Sequence, residues 1–193
     1  MKKLFLFFSI IVMPLTALAD EAQVRQFADD LAQEALTVVK NDNLSEKGKQ
    51  AELENLFSNR VDVEWVAQFV LGKYWRTASE EQKAAYLENY RKFVISHYSS
   101  KLTSYTNQDY KINDVRQESD DEYLVSMEVT QPGEPNVVMD YRVRQTGAGF
   151  KIYDIVVEGV SMITTQRSEF SSVISRNGLD YLIDALAKKA KKA

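Results

Sequence analysis

Residues 122–157 read EYLVSMEVTQPGEPNVVMDYRVRQTGAGFKIYDIVV, and the alternation within them decides the fold. Tyr123, Val125, Met127 and Val129 alternate with Leu124, Ser126, Glu128 and Thr130, the period of two that places successive side chains on opposite faces of a strand. Gln131-Pro132-Gly133-Glu134-Pro135 is a turn by composition. Val137, Met139, Tyr141 and Val143 then alternate with Val138, Asp140, Arg142 and Arg144, and Gly147-Ala148-Gly149 turns the chain into residues 150–157. Turns this short predict an antiparallel meander. A weaker strand over 110–118 precedes it, for four in all. Gly159 permits a bulge or bend, after which 160–163 extends the last strand.

Upstream the period is 3.6. Val24, Phe27, Ala28, Leu31, Ala35 and Val38 recur at steps of three and four, predicting an amphipathic helix over 21–39. Asn43 and Glu46 have capping-box spacing before Leu53, Leu56 and Phe57, and Asp62 can cap a helix that ends at Gly72. Ser79 and Gln82 open a long helix through Tyr105, with Tyr86, Tyr90, Phe93, Val94, Tyr98 and Leu102 along its stripe. Beyond the strands, a helix starts near Thr164 or Thr165 and carries Phe170, Val173 and Ile174 to Asn177-Gly178. A last one carries Leu179, Leu182, Ile183 and Leu186 into a run of lysines from Lys188 to Lys192. The expectation is a single α+β domain with a four-stranded antiparallel sheet and about six helices.

Composition narrows the chemistry. The 193 residues hold no Cys and one His, which excludes disulfides, thiolate metal sites and a His-rich zinc site. A net charge of −4 argues against general nucleic-acid binding, which needs a cationic surface. Neither a phosphate-binding loop nor a dinucleotide fingerprint occurs.

The N-terminus has the form of an export signal. Lys2 and Lys3 precede an apolar stretch, Ala17-Leu18-Ala19 offers the small residues a signal peptidase reads, and the uncharged run falls short of the about 20 residues that span a bilayer. Residues 1–19 are therefore expected to be a signal peptide cleaved after Ala19, and residues 20–193 the mature domain in a bacterial periplasm.

Of the remaining residues, Ser161 lies in a Gly159-Val160-Ser161 run that lacks the second glycine of a nucleophile elbow, and His97 lies beside an apolar helix stripe. Both read more simply as a capping residue and a packed side chain, and no catalytic residue, metal ligand or cofactor is expected. The aromatic concentration between Trp65 and Tyr105 is compatible with a filled core or with an apolar cavity; spacing alone does not separate them.

Three runs carry a resemblance: Val61-Asp62-Val63-Glu64-Trp65; residues 70–79, VLGKYWRTAS; and residues 153–170, YDIVVEGVSMITTQRSEF. In these, and in the order of elements from about residue 21 to 186, the chain resembles the MlaC family of periplasmic phospholipid-binding, toluene-tolerance proteins, auxiliary components of an ABC transport system. The resemblance implies a twisted sheet and helices enclosing an apolar lipid pocket. It implies a carrier, not an enzyme, that moves phospholipid between an outer-membrane lipoprotein–porin complex and an inner-membrane ABC transporter complex with its substrate-binding subunit, maintaining outer-membrane lipid asymmetry. A monomer is expected, without nucleic acid and with lipid as cargo. Carried onto this sequence by facing patterns, the pocket draws on Phe69, Val70, Tyr74, Trp75, Tyr90, Phe93, Val94, Tyr98, Met127, Val129, Met139, Tyr141, Ile155, Val157, Val160 and Met162. Low head-group selectivity is expected of a pocket that reads only chains. The alternatives are a carrier of another lipid such as a hopanoid, a lipid hydrolase using Ser161 and His97, and an interaction module with a filled core.

Overall fold

The computed structural model describes residues 15–103, 108–130, 132–133 and 135–190. Helices α1 (Leu15–Val39), α2 (Glu46–Arg60), α3 (Val63–Leu71), α4 (Lys73–Thr77) and α5 (Glu80–Leu102) come first. Strands β1 (Asp109–Gln117), β2 (Glu122–Thr130), β3 (Val137–Thr146), β4 (Gly149–Val157) and β5 (Val160–Ser161) follow, then α6 (Met162–Asn177) and α7 (Leu179–Ala190). The sheet is an antiparallel meander in the order β1-β2-β3-β4-β5.

The α+β class stands, with five strands and seven helices among the described residues instead of four and about six. The additions, β5 and α4, are two and five residues long, too short to show a period. Ser45, not Asn43, caps α2, its hydroxyl accepting from the Gly48 amide. Asp62 caps α3 and Ser79 with Gln82 forms a capping box on α5, as the spacing predicts. The expected extension of α5 to Tyr105, most of the signal segment, Gln131 and Glu134 of the turn, and Lys191 and Lys192 of the tail lie outside the described residues.

Two bulges control which side chains face where. On β1 the register shifts between Ile112 and Asp114. On β4, Arg142 pairs with Asp154 but Val143 pairs with Ile152, leaving Tyr153 as the extra residue. Neighbours on a strand face opposite sides, and the extra residue moves the alternation on by one, so that Ile152 shares a face with Ile155 and Val157. Ile152 joins Val24, Phe27, Val125 and Val143 in a core between α1 and the sheet, whereas Tyr153 enters a helical core built by α3, α5, α6 and α7. There it meets Trp65 edge-on, ring centroids 5.3 Å apart, and Arg144 lies over both rings.

Asp154, next in sequence, is 2% exposed. Its carboxylate accepts from the Ser161 hydroxyl at 2.7 Å and from the Ile163 amide at 3.2 Å, with Arg142 at 3.7 Å. Ser161 in turn caps α6 by accepting from the Thr164 amide. A buried anion thus fixes the first turn of α6 on the end of β4, where the helix dipole favours negative charge. Gly72, between α3 and α4, has φ 59° and ψ −124°, and a Cβ there would lie 3.0 Å from the Arg167 guanidine of α6, so backbone and packing both require glycine.

The first core is fastened at its edge by polar bonds. The Tyr110 hydroxyl on β1 donates to Asp29 Oδ1 of α1 at 2.8 Å, and Arg25 donates to the Ile112 carbonyl at 3.1 Å. Burial, then the bond to Asp29, pushes the Tyr110 phenol up to about 12; burial and the Glu122 carboxylate do the same for Tyr153.

Two outcomes are expected. Asp154→Ala strands the α6 N-terminus and lowers stability by about 2–4 kcal/mol, read as a fall in the urea midpoint at unchanged slope. Because Tyr110 and Tyr153 hold their protons to about 12 when folded against 10 when unfolded, their contribution is intact below pH 10 and lost as pH rises through 12. The urea midpoint therefore declines across that window, and Tyr110→Phe flattens the decline.

Candidate functional site

Between the sheet, α1, α2 and the last turn of α5 the chain leaves a cavity of about 870 Å³. Its floor is the face of the sheet set by alternation: Met127 and Val129 of β2, Val137, Met139, Tyr141 and Val143 of β3, and Ile152, Ile155 and Val157 of β4. One wall is the α1 stripe of Phe27, Ala28, Leu31, Ala32 and Ala35; another is Leu53, Leu56, Phe57 and Val61 from α2 and the residue after it. Tyr98 and Leu102 of α5, with Met162 at the start of α6, complete the lining.

The charged groups of the lining stand toward its ends. Arg60 is held by Glu34 at 2.8 Å and covers the Phe27 ring at 5.6 Å, so its charge is matched where it meets the apolar wall. Lys101, Gln108, Asn136 and Glu158 line the other end. Within the lining, Tyr98 stacks on Phe57 with centroids 5.8 Å apart, and burial, helped by the Asp154 and Glu169 carboxylates, raises its phenol above the ordinary range. The Tyr141 hydroxyl contacts Met139 Sδ at 3.8 Å. The remaining lining offers aliphatic, methionine and phenylalanine surface, which favours apolar groups through burial and has no directional preference.

Of the residues proposed from sequence, the cavity brings together Tyr98, Met127, Val129, Met139, Tyr141, Ile155, Val157 and Met162. Phe69, Val70, Tyr74, Trp75, Tyr90, Phe93 and Val94 lie instead in or against the helical core. The reason is α7: Leu182, Ile183 and Leu186 fill the face of α5 that carries the aromatic stripe. Tyr90 donates to Gln166 Oε1 at 2.5 Å and Tyr86 to the Ala67 carbonyl at 2.9 Å, so these hydroxyls bind helices to one another. Val160 is 53% exposed at the β4–β5 turn. The α1 and α2 walls escaped the sequence reading. Their signal was the small residues Ala28, Ala32 and Ala35 on the α1 stripe, which cannot fill the distance to a sheet.

A second depression of about 780 Å³ runs between α1, α2 and the β3–β4 turn, with Phe27, Leu56 and Arg60 common to both. It is lined largely by polar groups, including Asp30, Glu34, Glu52 and Lys151. Ser161 is a capping residue whose hydroxyl is engaged by Asp154 and Thr164. His97 stacks on Phe93 at 5.4 Å and meets the Tyr98 ring edge-on, and burial with Lys101 and Lys189 lowers its pKa. No group of three metal-ligating side chains and no helix long and apolar enough to cross a membrane occurs among the described residues.

The comparisons with known proteins agree with this geometry. A protein of Haemophilus influenzae named intermembrane phospholipid transport system binding protein MlaC is 24% identical over 136 residues, 68% of this chain; the chain spans 64% of that relative's length. Toluene tolerance protein ttg2D of Pseudomonas putida is 26% identical over 144 residues, 73% of this chain and 67% of the relative. The solved structure of a phospholipid-binding protein from Ralstonia solanacearum, in complex with a phospholipid, superposes with a TM-score of 0.73 at 26% identity, covering 89% of this chain and 97% of that one. The family model described as MlaC protein matches residues 29–188, which is nearly all of the described sheet and helices, and the chain belongs to the MlaC family.

Proposed function

We propose that this protein is a periplasmic phospholipid carrier, not an enzyme, whose cargo chains occupy the cavity between α1, α2 and the sheet. The observation that carries the reading is a cavity of about 870 Å³ lined mainly by apolar side chains, with its charged residues toward the ends. At about 30 Å³ for a group the size of a water molecule, that space takes on the order of 30 methylenes, the content of two acyl chains. The names of its relatives support phospholipid as the cargo class.

The energetics favour a passive shuttle. At roughly 0.8 kcal/mol per buried methylene, two chains of about 15 methylenes are worth on the order of 24 kcal/mol, so release into water is too slow to be useful. Transfer is direct, from a membrane complex to the cavity. Bilayer and cavity hide the same methylenes, so the exchange lies near balance and its direction belongs to the partners. Those partners are an outer-membrane lipoprotein–porin complex and an inner-membrane ABC transporter complex with its substrate-binding subunit, and the traffic maintains outer-membrane lipid asymmetry. The carrier acts as a monomer after cleavage of residues 1–19 behind Ala19.

The test is native mass spectrometry of the purified protein, followed by solvent extraction of what it holds. A retained phospholipid mass is expected; a hopanoid would change the cargo, and a protein that is empty and takes nothing from vesicles would refute the carrier. Ala32 lies on the α1 wall, so Ala32→Trp should fill the cavity without disturbing the helical core. Displacing about four methylenes weakens lipid retention by on the order of a hundredfold at unchanged or higher thermal stability, as read by lipid back-transfer to vesicles.

A further inference from the structure

We infer that Glu158 reads the head group of the bound lipid and favours phospholipids whose head group carries an ammonium over those with an uncharged alcohol. The inference rests on the carrier reading and gives it a specificity.

The argument begins with a turn. Val157 pairs with Val160, so Glu158 and Gly159 alone form the loop between β4 and β5, and both have positive φ, 49° and 81°. A two-residue hairpin loop of this hand takes Asn, Asp or Gly at its first position, where other side chains are strained. Glu158 is the one non-glycine residue with positive φ among the described residues. Its backbone amide donates to the Val138 carbonyl, but no hydrogen bond or ion pair among the described residues engages its carboxylate. Nothing within the fold therefore explains a glutamate here. Glu158 is exposed at the edge of the cavity and is among the residues that line it. A local rule broken without an internal gain, at the edge of a ligand space, marks a residue kept for the ligand.

The surroundings specify which part of the ligand. Val129 pairs with Val137 and Met139 with Val157, so the β2–β3 turn and Glu158 lie at one end of the sheet, the end at which β1 also begins. Gln108 and Asn136 line the cavity at that end, and Lys101 lines it from the last turn of α5. A lipid with its chains on the apolar floor brings its phosphodiester to this rim. Lys101 stands at the same rim. Glu158 offers an anion that only an amine head group can match, and to a glycerol head group it adds repulsion toward the phosphate.

The experiment uses the whole protein and its Glu158→Asn variant, each equilibrated with vesicles of equimolar phosphatidylethanolamine and phosphatidylglycerol with identical chains. Native mass spectrometry then counts each bound lipid. Wild type should enrich the ethanolamine lipid, and the variant should lose about two- to five-fold of that preference, the range of an exposed charge pair. Total lipid occupancy should be unchanged. Asparagine suits the turn, so the variant's thermal midpoint should be equal or higher, which separates this role from a structural one. An equal lipid ratio in both proteins, with occupancy intact, overturns the role of Glu158 alone. Absence of either lipid from both proteins overturns the carrier reading, and this inference with it.

Discussion

The bulge at Tyr153 and the buried carboxylate beside it are the constraint on which the other features rest. Alternation along β4 turns Ile152 toward α1 and Tyr153 toward α3, so a single strand serves two cores, and the extra residue resets the alternation so that Ile155 and Val157 join Ile152 on the cavity face. Asp154 then anchors α6, and α6 in turn meets α3 through Phe170 and Ile174. This division allows a hollow. An apolar space left unfilled forgoes the contacts that stabilise an ordinary interior. The helical core, closed by α7 and by the Tyr86 and Tyr90 hydrogen bonds, holds its part of the fold without the cavity.

The wall opposite the sheet is attached differently. α1 packs with Val24, Phe27 and Ala28 at one end of the sheet, while its margin is held by the bonds of Tyr110 to Asp29, Arg25 to Ile112 and Arg60 to Glu34. Directional bonds at the edge and small side chains over the middle keep the helix in place without drawing it onto the floor. The alanines that make the wall weak as packing are what make it useful as a wall.

Much of the fold was legible in the sequence because its signals are local. The change of period near residue 108, the caps at Asp62, Ser79 and Ser161, and the stop at Asn177-Gly178 each depend on a few neighbouring residues. The site was half legible. Alternation along β2 and β3 identifies Met127, Val129, Met139 and Tyr141 as one face, and the register confirms that they share it. Facing a cavity and facing a core have the same period, however, and no count along α5 could tell that α7 covers Phe93 and Val94 while Tyr98, Lys101 and Leu102 reach the hollow. The β4 bulge was equally hidden, since Ile152-Tyr153-Asp154-Ile155 carries no glycine or proline where the register slips. The runs that carry the family resemblance proved to meet one another. Gly72 makes room for Arg167, and Trp65 packs on Tyr153. They specify the scaffold, and among them only Val61, Ile155, Val157, Glu158 and Met162 touch the cavity.

That separation has a physical reason. A scaffold contact must fit one partner, so its residues are fixed in type: a glycine where an arginine passes, a carboxylate where a helix begins. Surface that accepts hydrocarbon chains needs only to be apolar and adaptable, and Met127, Met139 and Met162, unbranched and polarisable, adjust to a chain of any curvature. Affinity then comes from summed area, to which each wall residue adds little, and discrimination falls to the few charges at the ends. On the proposed reading, the walls hold the cargo against water and the rim, where interactions are exposed and weak, is the place left for distinguishing it. Weakness there is compatible with exchange: a head group bound strongly enough to be selected absolutely would also be too slow to leave.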